Sequence, residues 1–61
     1  MWTVIDIVTS EKKAQSAQEK LMMEGFLVKI LPLRQNKCYQ ILVPEEEAKE
    51  AYHVLVETGL S

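Results

Sequence analysis

Along residues 2–8 the order Trp-Thr-Val-Ile-Asp-Ile-Val is rich in β-branched and aromatic side chains, which predicts a strand. A two-residue period puts Thr3, Ile5 and Ile7 on one face and Trp2, Val4, Asp6 and Val8 on the other. The period changes after Thr9 and Ser10, whose hydroxyls suit a helix N-cap. Residues 11–24 contain no glycine, proline or β-branched residue, and Ala14, Ala17 and Leu21 recur at helical spacing. Two alanines on that stripe let the helix approach a sheet closely. Gly25 stands where a left-handed C-terminal cap belongs.

Residues 26–33 predict a second strand, with Phe26, Val28 and Ile30 on one face and Leu27, Lys29, Leu31 and Leu33 on the other. Pro32 has no N–H for a ladder, which places this strand at an edge. Arg34, Gln35, Asn36 and Lys37 make a polar turn. Residues 38–43 follow as a third strand, Tyr39, Ile41 and Val43 alternating with Cys38, Gln40 and Leu42. A four-residue loop pairs Leu33 with Cys38, Ile30 with Ile41 and Val28 with Val43, so both faces stay consistent and a hairpin is predicted. Pro44 opens the last helix, where Glu45, Glu46 and Glu47 meet the positive end of the helix dipole. Glu45 and Lys49 are spaced for an i,i+4 pair. Ala48, Ala51, Tyr52 and Leu55 form the expected buried stripe, and Gly59 ends the helix.

The first helix connects two strands, which makes those strands parallel with a right-handed crossover. The third strand, richest in uninterrupted ladder donors, belongs between them. The expected fold is α+β: a ferredoxin-like βαββα arrangement in one domain over 1–61, sheet order 1-3-2, both helices on one face. The helices then cover Ile5, Ile7, Val28, Ile30, Ile41 and Val43. The other face carries Trp2, Val4, Leu27, Leu31, Leu33, Cys38 and Leu42, interrupted by Asp6, Lys29 and Gln40. An apolar face left in water asks for a partner.

Size strengthens that expectation. A chain of 61 residues buries only about 60% of the surface its unfolded form exposes. Domains this small usually add disulfides, a metal or oligomerisation. One cysteine excludes an internal disulfide, and Cys38 with His53 cannot complete a four-ligand zinc site without carboxylates or a second chain. The expectation is therefore a non-enzymatic regulatory or protein-interaction module acting as a homodimer. Its interface would be the uncovered face, through Trp2, Val4, Leu27, Leu31, Leu33 and Leu42, or the open edge of the first strand. Hydrophobic residues at 48% and charged residues at 26% exclude a disordered chain. The net charge of −2 argues against non-specific nucleic-acid binding. Trp2 without paired aromatics argues against an RNA-stacking sheet. No apolar run reaches the ~20 residues of a membrane span, and no basic segment precedes an apolar one at the start. A cytoplasmic protein without membrane contact is expected, and a lone cysteine fits a reducing compartment.

Three segments carry a family resemblance: Trp2-Thr3-Val4; Glu24-Gly25-Phe26-Leu27-Val28-Lys29-Ile30; and Tyr39-Gln40-Ile41-Leu42-Val43-Pro44-Glu45. They resemble small prokaryotic signal-transducing proteins of uncharacterised activity, grouped with the PII nitrogen-regulator fold. The resemblance spans nearly the whole chain, and its motifs are structural: a capped helix, a hairpin and a helix start. It implies a bacterial regulatory or partner-binding module. PII proteins bind ATP and 2-oxoglutarate and touch their targets with a long loop. Here the loop is only Arg34 to Lys37, and there is no glycine-rich phosphate loop. Nucleotide binding is therefore assigned to no residue.

The alternative function is an anionic-metabolite sensor. Lys12 and Lys13 stand in the first turn of the first helix, where positive charge opposes the dipole. The topology brings that turn to the same end as the hairpin tip. Lys12, Lys13, Arg34 and Lys37, the Thr9 and Ser10 hydroxyls and the free amides of the helix start could hold an anion there. Glu24, Glu45, Glu46 and Glu47 gather at the opposite end. Cys38 reads as a small hydrophobe, His53 as a surface residue, and Met22 and Met23 as core filler. No nucleophile, base and orienting group form a set, and neither a cofactor nor a metal is expected.

Overall fold

The computed structural model describes residues 1–34 and 37–59. In chain order the elements are β1 (Trp2–Val8), α1 (Glu11–Met23), β2 (Lys29–Leu33), β3 (Cys38–Pro44), a 3₁₀ turn (Glu45–Glu47) and α2 (Ala48–Glu57). The strands form one antiparallel-paired sheet in the order β1-β3-β2. Both helices lie on the same face, so the βαββα ferredoxin-like arrangement stands as expected. One core joins Ala14, Ala17 and Leu21 of α1 to Ala51 and Leu55 of α2 and to Val8, Ile41 and Val43 of the sheet. α1 packs mainly on β3 and α2 on β1. The body is thin, 15 Å along its shortest axis, as two layers require.

Local chemistry explains each boundary. The Lys13 amide donates to Ser10 Oγ at 3.0 Å, so Ser10 is the N-cap of α1. At the other end the Phe26 amide reaches the Leu21 carbonyl and the Gly25 amide the Met22 carbonyl, both at 3.0 Å. With Gly25 at φ +95° this is a Schellman motif. Phe26 lands against the core that contains Leu21. No atom lies within 4 Å of a Cβ added at Gly25, so a side chain there meets only backbone strain. Gly25→Ala is expected to lower the melting temperature by about 4–8 °C, as left-handed alanine costs about 1 kcal/mol. A calorimetric scan checks it.

The Schellman turn also shortens the second strand. Residues 26–28 are spent leaving the helix, so β2 begins at Lys29 and the predicted Val28–Val43 pair lies outside the ladder. The rest of the hairpin register is as expected: Leu33 opposite Cys38, Leu31 opposite Gln40, Ile30 opposite Ile41, Lys29 opposite Leu42. Lys37 takes a left-handed φ of 51° where the chain turns back. Gln35 and Asn36 of the predicted turn lie outside the described residues. β2 is an edge strand, and Pro32 stands on it.

Several further expectations are corrected. Met22 and Met23, expected as core filler, are 58% and 83% exposed, because the stripe of α1 that faces the sheet is Ala14, Ala17 and Leu21. In β1, Val4 pairs with Leu42 but Asp6 pairs with Ile41, which leaves Ile5 as the extra residue of a β-bulge. Beyond it the alternation is inverted. Val8 is 7% exposed and belongs to the core, whereas Ile7, expected under the helices, is 52% exposed on the other side. Asp6 Oδ1 accepts the Ile7 amide at 2.9 Å within the bulge. In the last helix, Pro44 completes β3 opposite Trp2 and does not begin α2. The Glu45 amide is drawn to the Met1 carbonyl at 2.7 Å, and Glu45–Glu47 form a tight 3₁₀ turn. The Glu45–Lys49 pair does not form; among the described residues Lys20 and Glu24 make an ion pair, and His53 Nε2 lies 3.6 Å from Glu57 Oε1. Tyr52 is 48% exposed, and the partly buried Val54 packs against the core on the opposite flank of the stripe. A tyrosine keeps its hydroxyl in water this way.

Candidate functional site

The sheet face away from the helices is built in rows by the register. Val4, Leu42 and Lys29 stand side by side across the three strands, then Ile7, Gln40 and Leu31, with Trp2 beside Pro44 at one end and Cys38 beside Leu33 at the other. Trp2, Val4, Ile7 and Leu31 are all exposed. Leu42 is only 8% exposed although no helix covers it. Lys29 Nζ lies 4.5 Å from the centre of the Trp2 ring. The two side chains start from opposite outer strands and meet over the central one, which accounts for the shielding of Leu42. The lysine stem lies along apolar surface while its ammonium rests on the ring face.

Of the residues expected in this face, Trp2, Val4, Leu31, Leu33 and Leu42 are on it. Leu27 is exposed but sits in the connection before β2, outside the paired rows. Ile7 belongs to the face and simple alternation misses it. Its signal in the sequence is Asp6, an acid in the middle of an aliphatic run, which a bulge removes from the row it would otherwise occupy.

Both sheet edges are poor templates for another strand. β2 is five residues long and carries Pro32. β1 carries the bulge, and the Ile7 amide is already bonded to Asp6. Proline, short length and bulges are the devices that stop edge pairing.

The basic end is also assembled by the register. Val8 opposite Tyr39 and Leu33 opposite Cys38 bring the ends of β1 and β2 to the hairpin side, so Thr9, Lys12 and Lys13 share that end with Arg34 and Lys37. Thr9 and the four basic residues are exposed. Ser10 and the Lys13 amide satisfy each other, which leaves fewer donors at the helix start for an anion. Glu24 and Glu45–Glu47 occupy the far end, beside Met1. Glu47 Oε1 is shielded and without a hydrogen-bond donor, at the start of α2 where the helix dipole favours its charge. His53 pairs with Glu57 at 3.6 Å on the open surface of α2. Cys38 is half-buried at the end of β3.

No enclosed pocket occurs among the described residues, nor any group of three or more His, Cys, Asp or Glu placed to hold a metal ion. No described helix is long and apolar enough to cross a membrane. No family model, curated protein or solved structure matches this chain.

Proposed function

We propose that this protein is a non-enzymatic interaction module that self-associates as a homodimer through the sheet face its helices leave bare. The carrying observation is the exposure of Trp2, Val4, Ile7 and Leu31 on one face, where Lys29, the one charged group in its paired rows among the described residues, lies over the Trp2 ring. The two blunted edges support face-to-face stacking over strand addition. Stacked sheets would lie about 10 Å apart with the helices outermost. A three-stranded face of this length measures about 14 by 24 Å. Two such faces stacked cover only about 670 Å² in projection, below the ~1,000 Å² total of a specific interface, so a weak, concentration-dependent dimer is expected. A bacterial, cytoplasmic regulatory setting, as in the signal-transducing proteins the sequence resembles, suits such a module. The anion-sensor alternative has less support, because the Lys13 amide, one of the donors it would use, is already bonded to Ser10 Oγ.

Sedimentation or light scattering over a dilution series from about 1 mM to 1 μM tests this reading. The molar mass should fall from twice the chain mass to once. Leu31→Lys, at an exposed site, should remain folded and stay monomeric throughout, because an unpaired ammonium resists burial. A single-chain mass at every concentration would refute the proposal.

A further inference from the structure

Trp2 opens β1 and Lys29 opens β2, and β3 separates the two strands. No ladder bond therefore joins them. Their side chains close that gap over the bare face, with Lys29 Nζ 4.5 Å from the centre of the Trp2 ring. Two strand spacings are about 10 Å, so the contact bridges the full width of the sheet. Beneath it lies Leu42, in one row with Val4 and Lys29. Gln40 supplies a comparison, two residues away on the same strand and the same face, between Ile7 and Leu31. Among the described residues no such bridge spans Gln40, and it is half-buried where Leu42 is 8% exposed. The bridge, and not a central place in the sheet by itself, keeps Leu42 from water.

We infer that Trp2 and Lys29 form a clasp that opens and closes over Leu42, and that the lysine charge holds it shut. Both partners are exposed, so the clasp works in water. An exposed cation–π contact favours the closed form by only about two- to fivefold. Closing also costs rotamer freedom in a long lysine side chain. Both forms are therefore populated, and they exchange by side-chain rotation alone, on the picosecond-to-nanosecond scale. Closed, the middle of the face shows water an ammonium and an indole ring. Open, Val4, Leu42 and the freed ring make one apolar strip across β1 and β3, with the ladder unchanged. The clasp sets how much apolar surface the face presents. It belongs to the single chain and stands whether or not two copies associate.

Hydroxyl-radical oxidation read by mass spectrometry tests the clasp, at the dilute end of the series above so that each chain is alone. The measured quantity is oxidation of Leu42 relative to Leu31, which is exposed on the same face. Lys29→Gln removes the ammonium at an exposed site, so the circular dichroism spectrum should stay unchanged while the ratio rises about two- to fivefold. Lys29→Arg should hold the ratio at the parent value, since a guanidinium also rests on a ring face. Trp2→Leu should raise the ratio as well, and adding Lys29→Gln to that variant should raise it by less than it does in the parent, as coupled residues require. A ratio that Lys29→Gln leaves at the parent value, or raises equally with and without the ring, would overturn the inference. The dimer constant enters neither result, so loss of the clasp leaves the homodimer reading standing, and loss of the homodimer leaves the clasp.

Discussion

Truncating Leu55 to alanine is expected to bring the domain close to unfolding at room temperature. Leu55 has no exposed surface and lies in the core where α2 meets the sheet. A buried Leu→Ala change costs about 2–5 kcal/mol, through lost transfer energy and the cavity left behind. A chain of this length has only about 3–9 kcal/mol of total stability to lose. The surroundings can collapse little, because Ala14, Ala17 and Ala51 have no longer side chains to swing into the gap. Urea denaturation followed by circular dichroism at fixed protein concentration gives the measurement. The midpoint should fall by half or more. Tyr52→Ala, on the same helix but half exposed, should move it far less. Equal shifts in the two variants would mean that α2 is not anchored as described.

Enlarging Ala17 should do comparable damage by the opposite route. Ala17 is fully buried on α1, the helix that packs chiefly against β3. Its methyl group is what permits that approach. Ala17→Leu adds three heavy atoms where packing has no room, and overpacking of this kind costs about 1–3 kcal/mol. If α1 lifts to make space, Leu21 and Ala14 lose contact as well, and the cost moves to the upper end. The melting temperature should drop by about 4–8 °C for each kcal/mol lost. Ala17→Ser, which adds one atom, should be milder. A leucine variant as stable as the parent would show that α1 stands further from the sheet.

Much of this architecture is legible one residue at a time. Ser10 and Gly25 cap α1 by chemistry that needs only their neighbours. The hairpin register follows from matching two alternating runs around a four-residue loop, since a one-residue slip would turn every side chain to the wrong face. Pro32 marks β2 as an edge because it cannot donate. The uncovered face was legible as well, being the remainder once both helices are assigned to one side.

The misreadings share a cause. Val4-Ile5-Asp6-Ile7-Val8 is aliphatic on both sides of Asp6, so either register of its second half gives the core a β-branched residue. Alternation assumes an unbroken ladder and cannot choose between Ile7 and Val8. Likewise, the Glu45 amide is claimed by Met1, forty-four positions away in sequence (45 minus 1), and that bond helps set where α2 begins. Tyr52 and Val54 flank the same helical stripe, and only the packing of α2 decides which of them turns inward.

The segment order, the caps of α1, the hairpin and the strand order can be read from the residues alone, because they depend on backbone rules and on the alternation of neighbouring side chains. The bulge in β1 is different: it appears only once the whole sheet and its helices are packed, and with it the choice of which isoleucine stands on the bare face. A bulge pairs two residues of one strand against one of another, and its position depends on how the helices fill the space beneath.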